Sequence, residues 1–155
     1  MKKVYLIHGW GGKPEASWRG WLKRELEARG YAVTAPVMPD AETPRIEAWI
    51  PFLKSEIKPE ADTILVGHSM GCNAIIRYLA ELPEGEKIGK VILVAGTVPG
   101  EPITGLTEDE KPIAETWIET PVDFLKVKKS ANEFVAVFSD NDPYIPMELA
   151  DQLKT

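Results

Sequence analysis

The chain has 155 residues, a length typical of one domain, and its 24 acidic and 18 basic residues give a net charge of -6. This acidic balance disfavours a nucleic acid or an anionic membrane surface as partner, because such partners require a basic face. A single cysteine cannot form an internal disulfide, and no apolar run approaches the length of a membrane span. The sequence therefore favours a cytoplasmic protein with one domain over residues 1–155.

The first half of the chain alternates short apolar runs with amphipathic stretches, a pattern typical of a parallel sheet covered by helices. In chain order it predicts a strand over 4–7, a helix over 16–29, a strand over 31–35, a helix that begins near 44, a strand over 63–67 and a helix over 70–82. Trp18, Trp21 and Leu22 repeat at helical spacing in the first helix. Pro51 lies inside the second helical pattern and predicts a kink or a break there.

The second half of the chain begins with a buried strand predicted over 90–95. Residues 96–120 interrupt the alternation, because glycine, proline, threonine and acidic residues dominate them. We interpret them as an excursion over the sheet edge with one short helix around Trp117, and loops of this length usually carry function or disorder. The remaining predicted elements are a helix over 122–129, a strand over 133–138 and a last helix over 147–154.

A serine bounded by glycines stands between the third predicted strand and the helix that follows it. Residues 67–71 read Gly-His-Ser-Met-Gly, which fits the pattern Gly-x-Ser-x-Gly of a nucleophile elbow. That tight turn holds the serine hydroxyl above the sheet, and glycines two positions to either side avoid a clash across the turn. The pattern predicts Ser69 as a nucleophile, and the alternative is a serine that caps a helix in an ordinary α/β turn.

A glycine-rich loop closes the first strand, where residues 8–12 read His-Gly-Trp-Gly-Gly. A hydrolase needs backbone N–H groups aimed at the developing oxyanion, and glycines let the backbone approach the substrate. We predict the amides of Trp10 and Met70 as these oxyanion-hole donors. A phosphate-binding turn is the alternative, but neither the spacing Gly-x-Gly-x-x-Gly nor that of a P-loop is met.

An acidic loop follows the fifth predicted strand, where residues 139–146 read Ser-Asp-Asn-Asp-Pro-Tyr-Ile-Pro. An acid after the serine in sequence matches the chain order Ser…Asp…His of elbow-type hydrolases, in which it orients a histidine. We predict Asp142 for this role and expect Asp140 to hold the turn through its side chain. A calcium loop is the other interpretation, although the glycine and the distal glutamate of an EF-hand are absent.

These motifs, together with the tryptophans of the first helix and residues 121–124 (Pro-Val-Asp-Phe), resemble the small serine hydrolases related to retinoblastoma-binding protein nine and the bacterial YdeN-type proteins, which are minimal α/β-hydrolases. The resemblance runs over the whole chain. It implies a three-layer α/β fold, with a mostly parallel sheet of about five strands in the order 2-1-3-4-5 and helices on both faces. It also implies Ser69 as nucleophile, Asp142 as triad acid, no cofactor or metal, and a small acyl ester or amide as substrate, cleaved through an acyl-enzyme.

The base of a complete triad is missing from this pattern. The chain has two histidines, His8 and His68, and both precede Ser69. In the family that the chain resembles, the histidine lies in a loop after one more helix and strand. We therefore expect a C-terminally shortened domain without its last strand and helix, two structural histidines, and weak or no activity. The missing base also supports an alternative, a non-catalytic α/β-hydrolase-fold protein that binds a ligand or a protein partner.

Three further expectations concern the sheet edge, the cysteine and the substrate pocket. A shortened sheet exposes one edge of the strand predicted over 133–138, which predicts low thermal stability or self-association through that edge. Cys72, one turn into the elbow helix, is expected to be a buried small residue rather than a second nucleophile. We predict that a substrate pocket is lined by His8, Trp10, Leu106, Trp117, Tyr144 and Ile145.

Overall fold

The computed structural model describes residues 1–153, in which strands and helices largely alternate. The elements are β1 (Lys3–Ile7), α1 (Trp18–Ala28), β2 (Ala32–Thr34), α2 (Ile46–Glu56), β3 (Thr63–His68), α3 (Met70–Ala80), β4 (Lys90–Val94), α4 (Lys111–Glu119), α5 (Phe124–Lys129), β5 (Phe134–Val137) and α6 (Leu149–Gln152). Each predicted strand and helix is present, and α4 is the short helix expected around Trp117. The last helix is shorter than the predicted 147–154, and its predicted end at Lys154 lies outside the described residues.

The five strands form one sheet in the order β2-β1-β3-β4-β5, which confirms the predicted order. All four pairings are parallel, and β1 lies between β2 and β3, with Val4 opposite Val33 of β2 and Ile64 of β3. In such a sheet the carboxyl ends of the strands meet at one edge. The loops after β1, β3, β4 and β5 therefore converge where the sequence predicts the site.

Helices cover both faces of the sheet, which confirms the three-layer architecture. On one face, Trp18 and Leu22 of α1 pack against a cluster formed by the strand residues Val4, Leu6 and Val66. The opposite face carries the larger core, to which α2, α3, α4 and α5 all contribute. These strands read as continuous apolar runs because helices bury them from both sides.

The outer strand β5 departs from this pattern, because all four of its residues are exposed. Val135 and Val137 stand in register with Ile92 and Val94 of β4 and are 36% and 47% exposed. On the other face, Phe134 lines an apolar groove of about 790 Å³ between α5 and β5. Within residues 1–153, β5 pairs with β4 alone, so its outer backbone edge is open.

Two local expectations need correction. Trp21 does not join the buried face of α1 but is 57% exposed, because it points away from the sheet that Trp18 and Leu22 face. Pro51 does not break the second helix, since α2 continues through it. The proline is exposed, so the amide hydrogen bond it cannot make lies on the solvent side of the helix. In the described part of the chain, no helix has the length and hydropathy required to cross a membrane.

Candidate active site

Ser69 occupies a strained turn between β3 and α3. Its φ of 52° and ψ of -122° lie in a region that L-residues rarely adopt. The turn is fixed by the end of β4, because the Ser69 amide donates to the Val94 carbonyl at 3.1 Å and the Thr97 amide donates to the Ser69 carbonyl at 3.3 Å. The side chain is half-buried. This is the backbone geometry that a nucleophile elbow requires.

The two glycines that flank Ser69 stand where a side chain would collide with backbone. A Cβ on Gly71 would lie 2.4 Å from the Ile7 carbonyl oxygen, and one on Gly67 would lie 2.9 Å from the Cys72 amide nitrogen. The elbow helix α3 therefore lies so close to β1 that only glycine fits at position 71. The clash across the turn that the sequence pattern predicts is present in the structure.

The glycine-rich loop after β1 lies directly against the elbow. A Cβ on Gly9 would stand 3.0 Å from the Ser69 Cβ and 3.4 Å from the Met70 amide nitrogen. Met70 is the first residue of α3, so its N–H points out of the helix at the positive end of the helix dipole. The loop thus brings its backbone to the side of Ser69 where an oxyanion would form.

His8 fixes the orientation of this loop. Its Nδ1 donates to the Gly9 carbonyl at 2.8 Å, while its Nε2 accepts from the Met38 amide at 3.1 Å. The Gly9 carbonyl also accepts from the Gly12 amide at 3.0 Å. In a planar trans peptide the C=O and the next N–H point in opposite directions, so these bonds turn the Trp10 N–H away from His8. His8 is fully buried, which corrects its predicted place in a substrate pocket: it supports the loop from within the core.

The loop is also held from its outer side by the segment after β2. The Gly11 amide donates to the Ala41 carbonyl at 2.7 Å, and the Trp10 indole Nε1 donates to the Glu42 carbonyl at 3.0 Å. Within residues 1–153, the backbone N–H groups of Trp10 and Met70 donate to no protein acceptor. Two donors without partners beside Ser69 are what an oxyanion hole requires.

Asp142 lies in the loop after β5 and is half-buried. Its Oδ1 accepts from the Tyr144 amide at 2.8 Å and from the Ile145 amide at 3.0 Å. The turn-forming bonds expected of Asp140 are therefore made by Asp142, because its side chain is the one directed along the chain towards these amides. The negative charge of Asp142 partly opposes the causes that lower the pKa of His68.

His68, the residue before Ser69, has its ring held by α1. Its Nδ1 accepts a hydrogen bond from Arg19 Nη1 at 3.0 Å, and its ring meets that of Trp18 edge to face with the centroids 5.7 Å apart. Burial lowers the pKa of His68, and the positive charge of Arg19 lowers it further against the effect of Asp142. The nitrogen that faces Arg19 therefore has its lone pair engaged.

The remaining predicted pocket residues separate into two groups. Trp117 is fully buried in the core, where its Nε1 donates to the Pro44 carbonyl at 3.0 Å, so it faces no space that a substrate could enter. Leu106 is half-buried, Tyr144 is 59% exposed and Ile145 is buried. The loop before Leu106 meets the loop after β5, because Thr104 Oγ1 donates to the Tyr144 carbonyl at 2.8 Å. The structure thus brings Leu106 and Tyr144 to neighbouring loops and removes Trp117 from the pocket.

Cys72 has the inert character expected from the sequence. It is fully buried and its thiol donates to the Val94 carbonyl, and burial raises the pKa of that thiol to about 12. A thiol with so high a pKa has almost no thiolate at neutral pH. Within residues 1–153, no group of three or more His, Cys, Asp or Glu side chains is arranged to hold a metal ion.

Arg19 is the residue beside this site that the sequence patterns do not reveal. It is 4% exposed and bonds to His68 and to the loop before α1. A signal is present in retrospect: Arg19 stands three and seven positions before Leu22 and Leu26, on the apolar side of α1. A charge on the buried side of a helix requires satisfied hydrogen bonds there and so marks a specific contact.

The parallel sheet, the elbow at Ser69 and the glycine-rich loop define an α/β-hydrolase. The chain belongs to the serine hydrolase family, whose family model matches residues 4–155. It is 30% identical over 153 residues to YdeN of Bacillus subtilis (strain 168), and the alignment covers 98% of this chain and 77% of YdeN. It is 31% identical over 158 residues to the serine hydrolase RBBP9 of Rattus norvegicus, covering 97% of this chain and 80% of the relative.

Solved structures show the same fold. The crystal structure of the ydeN gene product from B. subtilis superposes with a TM-score of 0.83 at 28% identity, over 99% of this chain and 79% of that protein. Est1E from Butyrivibrio proteoclasticus superposes with a TM-score of 0.71 at 17% identity, over 97% of this chain and 72% of that protein, and so supports the fold alone. The family and fold that the motifs imply are thus confirmed.

Proposed function

We propose that the protein is a carboxylesterase-like serine hydrolase that cleaves small acyl esters through an acyl-enzyme on Ser69. The observation that carries this proposal is the elbow geometry of Ser69, with the backbone of Gly9 packed against both the Ser69 Cβ and the Met70 amide. A helix cap needs neither the strained backbone nor a second loop at its side. Together they match the needs of acyl transfer.

Each residue has a role in this reaction. Ser69 Oγ passes its proton to a general base as it attacks the ester carbonyl, and the amides of Trp10 and Met70 stabilise the oxyanion with help from the N-terminal end of α3. The bond from the carbonyl carbon to the alcohol oxygen then breaks, and that oxygen takes the proton from the base and leaves as the alcohol. Water, which gives a proton to the same base, attacks the acyl-serine ester, so the carboxylic acid is released and the proton returns to Ser69 Oγ. Amides can follow the same course, although their poorer leaving group demands a general acid. Asp142 is proposed as the triad carboxylate, whose role is to orient the base.

Neither of the chain's two histidines is proposed as the base. His8 uses both ring nitrogens in hydrogen bonds within the core, and His68 has its Nδ1 bonded to Arg19. Loss of a triad member leaves only the rate supplied by binding and the oxyanion hole, about 10³ to 10⁴ over water in the protease example. We therefore propose slow turnover for the 155-residue chain.

Chemical rescue tests the proposal. With p-nitrophenyl acetate as substrate, we expect slow hydrolysis by the 155-residue chain that added imidazole accelerates, because a free base can replace the missing one. Ser69→Ala must remove the protein-dependent part with and without imidazole. Ser55→Ala, at an exposed position in the last turn of α2, is the matched serine control and must keep it. Equal rates for the wild-type and Ser69→Ala proteins would contradict the proposal.

A non-catalytic binding protein is the second candidate, and the engagement of both histidines favours it. Labelling with a fluorophosphonate separates the two, since the probe reports a nucleophilic serine without requiring turnover. Modification of Ser69 supports the enzyme, whereas an unmodified Ser69 at millimolar probe favours binding. We also propose a cytoplasmic location and no nucleic-acid partner, supported by the single buried cysteine and the net charge of -6.

A further inference from the structure

Arg19 is a buried arginine that makes no ion pair with a carboxylate. It is 4% exposed, and none of the ion pairs within residues 1–153 includes it. A guanidinium removed from water is destabilising unless hydrogen bonds satisfy its donors. The groups that accept these hydrogen bonds therefore show what the buried charge holds together.

The acceptors of Arg19 lie in one loop and at the end of strand β3. Nη2 donates to the Lys13 carbonyl at 2.9 Å and Nε donates to the Pro14 carbonyl at 3.3 Å, both in the loop between β1 and α1. Nη1 donates to Nδ1 of His68 at 3.0 Å, in the residue before Ser69. One planar guanidinium thus joins the loop that carries Trp10 to the elbow. A lysine has no planar fork with which to reach all three acceptors.

We propose that Arg19 is a positioning residue of the Ser69 site, which clamps the loop after β1 to the elbow so that the Trp10 and Met70 amides face one oxyanion. Gly20 permits this contact, because a Cβ there would lie 2.5 Å from the Glu15 carbonyl oxygen and would push α1 away from the loop. The inference rests on the function proposed above, since it assigns Arg19 to the geometry of that site.

The clamp has a consequence for the proton on His68. Arginine only donates, so Nδ1 of His68 must be unprotonated while the hydrogen bond exists, and the ring proton sits on Nε2. A second proton on Nδ1 would face the guanidinium and break the bond. Two charged groups act on this ring: Arg19 from α1 opposes protonation and Asp142 from the loop after β5 favours it. The clamp therefore holds while His68 is neutral and opens in acid.

The first test measures the rate at which a fluorophosphonate labels Ser69. We expect Arg19→Met to slow labelling at pH 7.5 about tenfold or more, since a displaced oxyanion donor loses a large part of its effect. Arg19→Lys should fall between Arg19→Met and wild type. Arg24→Met is the matched control, because Arg24 lies exposed on the same helix, and it should label at the wild-type rate. Wild-type labelling by Arg19→Met would overturn the proposal.

The second test reads the His68 ring directly and does not depend on hydrolysis. Nitrogen-15 NMR of the wild-type chain should show Nδ1 unprotonated and Nε2 protonated. Arg19→Met should give a mixture of tautomers and a His68 titration displaced to higher pH, which loss of packing alone would not produce. An unchanged tautomer would overturn the clamp. A wild-type protein that is never labelled would instead remove the proposed function, so the two failures are distinguishable.

A third test leaves Arg19 in place, in case its variants do not fold. His68→Asn keeps an oxygen near the position of Nδ1 that can accept from Arg19 but cannot titrate, whereas His68→Leu removes the acceptor. We expect His68→Asn to label Ser69 faster than His68→Leu at pH 7.5. Below pH 6.5 the labelling rate of the wild type should fall more steeply than that of His68→Asn. Equal rates for the two variants, or an unchanged pH profile in His68→Asn, would contradict the clamp.

Discussion

The side of the sheet around β1 and β3 is packed and hydrogen-bonded more tightly than the side around β5. Around β1 and β3, hydrogen bonds from His8, from the segment after β2 and from Arg19 fix the loop that carries Trp10, and backbones approach so closely that only glycine fits at position 71. Around β5, every strand residue is exposed, one backbone edge is open and an apolar groove of about 790 Å³ lies beside it. The difference teaches that the backbone around the proposed oxyanion hole is closely fixed, while the side of the molecule that carries Asp142 is weakly supported.

The largest expected effect comes from the tightly built side. Gly71→Ala places a Cβ 2.4 Å from the Ile7 carbonyl oxygen and 2.7 Å from that of His8, which are backbone atoms that cannot move aside. We expect the free energy of unfolding in urea to fall by about 3 kcal/mol or more. Gly85→Ala is the control: it has a φ of +89° but open space around it, so it carries backbone strain alone. A smaller loss for Gly71→Ala than for Gly85→Ala would refute the comparison.

The next effect concerns Arg77, which ties the region after β4 to the elbow helix. Its Nε donates to Asn73 Oδ1 at 2.9 Å, and its Nη2 donates to the Trp117 carbonyl and, at 2.9 Å, to the Thr120 carbonyl. Arg77→Leu leaves buried acceptors at the end of α4 without donors. We expect a loss of about 2 to 3 kcal/mol in urea unfolding.

Hydrogen exchange separates this effect from a general loss of stability. In Arg77→Leu the amides of α4 should lose protection before those of β1 and β3, because the contact removed is the one that anchors α4. Arg24→Ala, which removes an exposed arginine, should change stability by less than about 0.5 kcal/mol. Uniform loss of protection would show that the two sides unfold as one unit.

The elements whose signals are local could be predicted from sequence, and those that depend on distant partners could not. The elbow is encoded within five residues, and its backbone geometry is present at Ser69. The strand order, which the family resemblance implied, is confirmed. The sequence predicts that Asp140 makes the turn-forming hydrogen bonds, whereas Asp142 makes them in the structure. The pattern contains both carboxylates and does not show which one is directed at the following amides.

Burial is the second limit on prediction. Trp117 and His8 were both assigned to a pocket on residue type, yet both lie in the core. Trp117 is drawn there by its ring contact with Trp49, 68 positions away by residue number, with the centroids 5.6 Å apart. Arg19 shows the converse, since a charged residue is usually assigned to the surface and here reaches a histidine 49 positions along the chain. Contacts of this range have no periodic signature in one sequence.

A smaller effect is expected from a drop in pH, which should destabilise the tightly packed side around β1 and β3. Burial is the main cause that lowers the pKa of both His8 and His68 in the folded protein. Below about pH 6.5 the unfolded chain therefore binds protons that the folded chain does not, so stability is full above this pH and falls as the pH drops. The measurement is the urea midpoint between pH 7.5 and 5.0.

The histidine substitutions show which side carries the pH dependence. His8→Asn and His68→Asn should each reduce the slope of stability against pH, whatever they cost in absolute stability, because neither asparagine titrates. The absolute value is not the criterion, since both histidines make buried or half-buried contacts. A slope that persists in the double variant would place the acid sensitivity elsewhere in the molecule.

The smallest effect on stability tests the open edge, where self-association stays a prediction. Val135 is 36% exposed on β5, and a lysine there should change the free energy of unfolding by less than about 0.5 kcal/mol while it disfavours pairing of one edge with another. Sedimentation should show concentration-dependent association of the wild type that Val135→Lys removes. Val37→Lys, at a 71% exposed valine outside the sheet, gives the same charge and should still associate. If Val37→Lys abolishes association as well, net charge rather than the β5 edge controls association. The open edge of β5 then does not pair with a second copy of the chain.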